Sequence, residues 1–489
     1  MSVSKKFASS AFWLVLGTSF GNISGILVFF VLARLLKPAE FGIVALASIF
    51  VDVSRIMVSA GIPEAMIQRE TWDDKVASTA FWTSLALAGA LCAVLIGVVA
   101  PISSAYYDPT LGPVVAALSL MLFIDSISIV HLAKLQREFR YKLVATRTMI
   151  SNIAGGALGI TLAYHGYGVW ALVITRLVVG SFEAIVNWVS AKWQPQFFFS
   201  REALRSFFGS SMHLLGGQLL ATANGHIAAF VVGMAYGPAA IAQYRVGARG
   251  LSMVVELTIN PLQKVALSAF SRVQGEARGV GNAYLRLTKA CSLASCPVFF
   301  GAAAIAPDFV AVCFGPQWEI SGQVMAMLGL VVAPATLLYF LYPALTAIGR
   351  TQYVLFSNIA AFVTNLAVSL VTVGFGVVQV AAGSTIRAHV TLPFALLLLK
   401  RGLHVEWRKA IFGILPPFVA SAIMALVVAL VRHWFLMEWH IVPRLVAMVA
   451  LGAVVYPLVL LVVGRRFLNE NFGEFRAMLP NALRKGPFK

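Results

Sequence analysis

Residues 79–101 read TAFWTSLALAGALCAVLIGVVAP and contain no Asp, Glu, Lys or Arg. A helix needs about 20 predominantly apolar residues to cross the hydrocarbon core of a bilayer, where each backbone polar group must be satisfied within the segment. This run is long enough, and comparable runs recur along the whole chain. The sequence therefore predicts an all-α integral membrane protein.

About fourteen transmembrane helices are predicted when the same test is applied along the chain. They lie at 11–33, 41–62, 79–101, 113–131, 143–164, 168–190, 207–233, 239–262, 285–306, 323–348, 353–374, 377–399, 409–431 and 442–464.

The overall composition supports this fold class. Of 489 residues, 60% are hydrophobic and 11% are charged, whereas soluble domains carry about 25% charged residues. So few charges cannot cover a surface, and the apolar excess must face lipid. A soluble enzyme, a disordered regulator and a disulfide-stabilised secreted domain are therefore excluded.

Sequence signatures of catalysis and metal binding are absent from the chain. It has no nucleophile elbow, P-loop or HExxH motif. Its four cysteines show no CxxC spacing and are expected to be small core hydrophobes. They are Cys92, Cys291, Cys296 and Cys313. We expect no catalytic residue, no metal site and no cofactor.

The net charge of +18 is distributed unevenly between the two sides of the membrane. When the spans alternate, 28 Lys and Arg residues, Arg147 among them, fall on the side of the N-terminus and 4 on the other. Cytoplasmic loops collect Lys and Arg, so both termini are predicted to be cytoplasmic. This accounts for the charge without a nucleic-acid partner. The basic, mildly amphipathic tail at 465–489 is expected to contact anionic lipids.

Short motifs recur in the same order at offsets of 200–208 residues. The repeated pairs are SNIA at 151–154 and 357–360, GYGV and GFGV at 166–169 and 374–377, and PA at 38–39 and 238–239.

The offset corresponds to six spans, an even number, so both copies have the same orientation in the membrane. We predict two parallel six-helix lobes, 1–200 and 201–400, related by a pseudo-twofold axis along the membrane normal. Two additional helices at 401–464 and the tail at 465–489 follow. Rocking of one lobe against the other would give alternating access to a central cavity. A helical bundle with no transport role is the alternative.

Ionisable residues inside the spans are functional candidates, because a charge at the bilayer centre costs at least about 2.5–3.5 kcal/mol. They are Asp52, Arg55, Asp125, Arg176, Glu183, Arg245, Arg249, Glu256 and Arg387.

Some of these residues have an alternative, structural interpretation. Asp52 and Arg55 are three residues apart and can pair on one helix face, so packing and function are both open for them. Arg176 and Glu183 lie two turns apart and could bridge only through a partner. Asp125 is either a coupling acid that carries a proton or Na⁺, or the counter-ion of an arginine on a neighbouring helix, which we favour.

Arg245 and Arg249 are four residues apart with no acid within a turn, so two like charges share one helix face. That face should meet water, a counter-charge or an anionic substrate. Arg387 also has no acid on its own helix, and it is expected to look across the cavity at Arg176. Because the guanidinium fork suits phosphate oxygens, these arginines, with Arg55, are candidate pyrophosphate contacts.

Other polar residues of the spans have weaker roles. Three histidines are expected to satisfy backbone carbonyls, namely His213, His226 and His389. Five amides are candidates for sugar selectivity, namely Asn22, Asn152, Asn224, Gln243 and Asn365.

Several motifs resemble those of a known family. After the first span the chain reads LARLLKPAEFG at 32–42, followed by AMIQR at 65–69, FW at 81–82, LQRE at 135–138 and AFSRVQ at 269–274. This pattern resembles the polysaccharide-transporter group of Wzx-type flippases. That group belongs to the larger superfamily that also contains multidrug MATE antiporters and the lipid II flippase.

The resemblance implies a bacterial inner-membrane flippase. Such a protein moves an oligosaccharide linked to undecaprenyl pyrophosphate from the cytoplasmic to the periplasmic leaflet, for exopolysaccharide, capsule or lipopolysaccharide synthesis. A polysaccharide polymerase and copolymerase are the implied protein partners. One departure is that similar sequences often carry an acid in span 7, where this chain has Ala228 and Ala229.

Three other functions are weaker alternatives. A cation-coupled multidrug antiporter would need carboxylates facing a cationic drug, which the intramembrane arginines argue against. A polysaccharide polymerase or glycosyltransferase would need a sizeable outer loop with catalytic residues, and the outer loops here are short. A membrane scaffold would have no use for buried charge.

Overall fold

The computed structural model describes residues 3–59, 61–69, 71–259, 277–465 and 467–468. Within these ranges the chain forms helices and no strands, as the all-α prediction requires. The predicted lipid contact of the C-terminal tail falls almost wholly outside the described residues.

Eighteen α-helices are described, ten of them before the gap in the described ranges at 260–276. These ten are α1 (Val3–Leu35), α2 (Pro38–Ser59), α3 (Ile62–Gln68), α4 (Asp74–Val94), α5 (Ala100–Tyr106), α6 (Leu111–Arg137), α7 (Tyr141–Tyr164), α8 (Val169–Ala191), α9 (Arg201–Tyr236) and α10 (Pro238–Thr258).

Eight more helices follow that gap. They are α11 (Ala277–Cys313), α12 (Glu319–Gly329), α13 (Val332–Ala347), α14 (Thr351–Thr372), α15 (Val377–Val390), α16 (Leu392–Leu403), α17 (Trp407–Val431) and α18 (Ile441–Val463). A π-helical turn at Leu95–Val99 joins α4 to α5, and another at Arg432–Leu436 extends α17.

Each predicted span overlaps a helical segment, and in the described part of the chain ten segments are long and apolar enough to cross a membrane. The pair Pro316–Gly329 and Val332–Ala347, bent by 65°, makes eleven if it counts as one span. The described apolar part of α1 is shorter, and α7 and α10 carry more polar residues. The count of fourteen spans stays a prediction.

The helices form two compact units. Unit 1 contains Met1–Arg245 and Asn358–Val373, and unit 2 contains Val246–Ser357 and Gly374–Lys489. The lobe boundaries drawn from the sequence remain a prediction.

Unit 1 is built around α2, which packs against α6, α8 and α9. Small residues let backbones approach closely, as is common in membrane helix pairs. A Cβ atom on Gly42 would lie 1.7 Å from the carbonyl oxygen of Pro238, and one on Gly156 would lie 2.4 Å from Val28. Larger residues at these two positions would push helices apart.

Two features of the structure support the duplication. Gly168 and Gly376, which belong to the repeated GYGV and GFGV motifs, both have positive φ angles (53° and 124°) and directly precede α8 and α15. Asn358 of the second SNIA motif donates to the carbonyl oxygen of Gly217 at 3.4 Å. Its counterpart Asn152 lies close to Gly21, with Nδ2 3.3 Å from the position that a Cβ atom on Gly21 would take.

Unit 2 is built around α11, which packs against α12, α13, α17 and α18. The two C-terminal helices are fastened by an ion-pair cluster. Asp308 is 2% exposed and accepts from Arg432 at 2.6 Å and from Arg444 at 2.5 Å. Both arginines flank the turn between α17 and α18, so the cluster ties this hairpin to α11.

Candidate functional site: a charged pocket in unit 1

A cavity of about 530 Å³ in unit 1 gathers most of the ionisable residues predicted from the sequence. We term it the charged pocket. Its walls come from α2, α6, α7 and α8, on which the lining residues recur at helical spacing along one face. Its ionisable residues are Asp52, Arg55, Asp125, Arg147, Arg176 and Glu183.

Arg55 of α2 pairs with Asp125 of α6, at 2.5 Å between Nε and Oδ2. Asp125 thus lies beside an arginine of a neighbouring helix, the arrangement that we favoured. Arg55 bonds across the pocket to α6 rather than to Asp52 on its own helix. The pair therefore links two helices.

Arg147, which was counted among the charges on the side of the N-terminus and was not a site candidate, lies on α7 and lines the pocket. Its side chain is 7% exposed, pairs with Glu183 at 3.2 Å and donates to the side-chain oxygen of Asn187. Ser151, one turn further along α7, donates to the other oxygen of Glu183 at 2.9 Å. The four-residue spacing of Arg147 and Ser151 marks a polar face on α7 and was the available signal.

Two arginines of unit 1, Arg176 and Arg245, make no salt bridge with any described residue. Arg176 donates to the hydroxyl of Ser48 at 2.6 Å, and Arg245 donates to the carbonyl oxygen of Ala45 at 2.9 Å. Both interact electrostatically with one acid, Asp52. The group of Arg176, Arg245 and Asp52 therefore holds two positive charges and one negative charge.

Helix α9 supplies a histidine to the same group. His226 Nε2 lies 3.8 Å from Asp52 Oδ2, so a carboxylate rather than a backbone carbonyl is its nearest recorded partner. The neighbouring Ala228 and Ala229, where similar sequences often have an acid, are buried. Helix α9 therefore contributes a histidine, His226, rather than an acid to the group around Asp52.

One further histidine and two of the amides have local partners. His389 is placed as predicted, with Nδ1 2.9 Å from the carbonyl oxygen of Thr385. The side chain of His213 lies outside the described part. Asn365 donates to the side-chain oxygen of Asn224 at 3.0 Å. These two amides join α14 to α9, which gives them a packing role.

Arg245 and Arg249 belong to different units, Arg245 to unit 1 and Arg249 to unit 2. Arg249 belongs to unit 2 and bonds Glu256, seven residues later on α10, at 2.6 Å. Arg249 therefore has a counter-charge, although no acid lies within one helical turn of it.

Arg387 lies on α15 in unit 2, whereas Arg176 lies in unit 1. Their facing each other stays a prediction.

Unit 2 also contains an apolar cavity of about 350 Å³. It is lined by α10, α11, α12 and both helices of the C-terminal hairpin, α17 and α18. Met424 and Met448, which are buried, contribute to the two hairpin walls. We term it the apolar cavity.

The charged pocket is suited to binding an anion. Its lining holds three arginines and three acids, and Arg245 adds a further positive charge next to Asp52. Arginine binds phosphate oxygens through paired N–H donors. No cluster of three or more His, Cys, Asp or Glu residues that could hold a metal occurs among the described residues.

Comparison with known proteins places the chain in a transporter context. It is 24% identical over 458 residues to the succinoglycan biosynthesis transport protein ExoT of Rhizobium meliloti (strain 1021), which covers 93% of both chains. It is 26% identical over 476 residues to the teichuronic acid biosynthesis protein TuaB of Bacillus subtilis (strain 168), covering 93% of this chain and 95% of that protein.

The fold matches that of the lipid II flippase MurJ in its inward closed conformation. The TM-score is 0.74 at 15% identity, over 93% of this chain and 99% of MurJ. This likeness defines a multi-pass membrane transporter fold. The sequence profile of the family described as polysaccharide biosynthesis protein matches residues 31–322, which is more than half of the chain. The chain belongs to this polysaccharide biosynthesis protein family.

Proposed function

We propose that this protein flips an oligosaccharide carried on undecaprenyl pyrophosphate from the cytoplasmic to the periplasmic leaflet of the bacterial inner membrane. The names of ExoT and TuaB, which refer to the biosynthesis of two different glycans, and the flippase fold of MurJ support this function. The work of such a protein is a conformational change around a bound substrate, with no covalent step.

The observation that carries the proposal is the excess positive charge around Asp52. Placing Arg176 and Arg245 inside membrane-spanning helices without an acid of their own costs free energy, which a bound anion would offset. A diphosphate supplies several oxygens to the two guanidinium groups. Between transport cycles Asp52 attracts the two arginines. When substrate binds, the diphosphate replaces Asp52 as their main acceptor.

The position of the charged pocket along its helices fits entry from the cytoplasm. Asp52 and Arg55 lie in the second half of α2, and Glu183 lies in the second half of α8. In the predicted topology both helices run towards the cytoplasmic side, where the substrate is made. The diphosphate therefore meets these residues soon after the headgroup enters.

The isoprenoid tail remains in lipid while the headgroup crosses. A polymerase and a copolymerase then act on the flipped unit.

The test is the location of lipid-linked oligosaccharide in cells that lack this protein and carry wild type, Arg176→Ala or Arg245→Ala. We expect repeat units to accumulate in the cytoplasmic leaflet with either variant, with export reduced at least about tenfold, a loss of about 1.4 kcal/mol. Arg176→Lys should recover part of the export. Arg350→Ala is the matched control, since Arg350 lines neither the charged pocket nor the apolar cavity, bonds the carbonyl oxygen of Arg401 and lies over the Tyr353 ring.

Other outcomes would contradict the proposal. Repeat units that reach the periplasm without being polymerised would favour the polymerase. Normal polymer in cells that lack the protein would favour a drug antiporter. Equal loss with Arg350→Ala would show that the effect of Arg176→Ala isn't specific to the pocket.

A further inference from the structure

A second cavity, in unit 2, is built from the elements that correspond to those of the charged pocket. Positions 51, 52 and 55 of α2 line the charged pocket, and positions 251, 252 and 255 of α10 line this one. The offset of 200 residues is the one that relates the two PA motifs. Its volume is about 730 Å³, within the range of about 300–1,000 Å³ for small-molecule sites.

The second wall of this cavity is one face of α13. Leu338, Tyr339 and Tyr342 line it and are partly exposed, whereas Leu337 and Phe340 on the opposite face are buried. Helical spacing thus gives α13 a packed face and a face that lines the cavity. We term the cavity the tyrosine pocket.

One carboxylate enters the tyrosine pocket from α10. Oε1 of Glu256 accepts a hydrogen bond from Arg249 at 2.6 Å. Its other oxygen, Oε2, is buried and has no hydrogen-bond partner among the described residues. The side chain as a whole is 22% exposed and lines the cavity, so the carboxylate can accept a hydrogen bond from a ligand hydroxyl. Because Arg249 balances the charge of Glu256, the pocket favours a neutral ligand over an organic cation.

The aromatic rings of Tyr339 and Tyr342 also line the tyrosine pocket. The phenol oxygen of Tyr342 is hydrogen-bonded to the Ser357 hydroxyl at 2.7 Å, which fixes the ring on the pocket wall. Aromatic faces carry partial negative charge and attract the weakly positive C–H groups of a sugar ring. Stacking faces together with a hydrogen-bond acceptor are suited to a saccharide, with apolar ring faces and hydroxyl edges.

We propose that the tyrosine pocket binds sugar residues of the transported oligosaccharide and determines which glycan is accepted. This inference rests on the proposed flipping function and deepens it. Glycan selectivity then resides in Tyr339, Tyr342 and Glu256.

Two adjacent positions of α10 provide the experiment. Val255 lines the tyrosine pocket and Val254 lines the apolar cavity. The photoreactive residue p-benzoylphenylalanine replaces one or the other in the full-length protein, in cells that make their own polysaccharide. After irradiation the protein is purified, and attached sugar is labelled by periodate oxidation and a hydrazide probe.

We expect sugar label on the protein with the probe at 255, at least about tenfold above that with the probe at 254. A second substitution tests whether the aromatic ring of Tyr342 contacts the sugar. Tyr342→Ala in the 255 background should lower the label about tenfold, whereas Tyr342→Phe, which keeps the aromatic face, should retain most of it. Glu256→Gln should lower the label less, because an amide oxygen still accepts.

Equal label at 254 and 255, or label that Tyr342→Ala leaves unchanged, would overturn the inference. So would a loss of label on addition of tetraphenylphosphonium, which would identify a cation pocket. Failure of the proposed function looks different. If export is normal and no sugar is attached at 255, the sugar site alone is wrong. If export is normal in cells that lack the protein, flipping itself is wrong.

Discussion

The charged pocket and the tyrosine pocket occupy corresponding positions in the duplication but have opposite chemistry. Asp52 and Arg55 in the first correspond to Ser252 and Val255 in the second. Six ionisable side chains line one cavity, and Glu256 is the ionisable acid of the other. Duplicated helices thus provide the same framework for two kinds of recognition.

The two pockets also differ in the interactions that join their helices. In the charged pocket, ion pairs cross from α2 to α6 and from α7 to α8. In the tyrosine pocket, the Arg249–Glu256 pair lies within α10, and the walls are otherwise apolar or aromatic. Buried ion pairs seldom stabilise a fold more than apolar residues would. We propose that the charges of unit 1 serve ligand binding more than stability.

The largest effect is expected from breaking the most buried pair of the charged pocket. Glu183→Gln leaves Arg147 without its counter-charge and should lower the free energy of unfolding by about 3 kcal/mol, since removing one partner strands a buried charge. The midpoint of thermal unfolding of the purified protein in detergent measures this. The double variant Arg147→Met with Glu183→Leu, which removes both charges, should be closer to wild type. A double variant as unstable as Glu183→Gln would contradict this explanation.

The next prediction concerns the charge balance of the tyrosine pocket. Arg249→Gln removes the counter-charge of Glu256 and should make the pocket attractive to cations. Binding of tetraphenylphosphonium to the protein in nanodiscs should tighten about tenfold, about 1.4 kcal/mol. Arg249→Gln with Glu256→Gln is the matched control and should bind the cation as wild type does. Unchanged binding in the single variant would show that Arg249 does not set the ligand charge.

The fold could largely be predicted from the sequence, because lipid imposes long apolar helices whose positions show in composition alone. The duplication was also visible, since Gly168 and Gly376 start equivalent helices with positive φ angles. The number of spans was harder to predict. Segments such as α7 and α10 are interrupted by the polar residues that form the pockets, so the apolarity test is least decisive where function is concentrated.

The candidate site could be predicted in part. The ionisable residues were found because charge inside a span is rare, but their partners were not. Arg55 bonds Asp125 on another helix, and Arg249 bonds Glu256 two turns away, a reach that neighbour spacing does not reveal. The tyrosine pocket gave no signal, because tyrosine is common in membrane helices and only helix packing brings Tyr339 and Tyr342 next to Glu256.

A smaller effect is expected for the exposed pair of the charged pocket. The side chains of Arg55 and Asp125 are 46% and 29% exposed, so solvent screening limits their interaction to about 1 kcal/mol. The variants Arg55→Asp and Asp125→Arg should each destabilise the protein, and the double swap should recover about 1 kcal/mol in a double-mutant cycle of unfolding midpoints. Additive losses would contradict a direct pair.

The smallest effect is expected in the tyrosine pocket, from removing the phenol oxygen of Tyr342. Tyr342→Phe breaks the bond to Ser357 and keeps the ring, so it should cost about 0.5 kcal/mol, at the low end for a partly exposed hydrogen bond. Ser357→Ala should cost the same, and the double variant no more than either. Thermal unfolding measures all three. A loss several times larger than for Ser357→Ala would mean that the phenol has another essential partner, and that the ring's position depends on more than this bond.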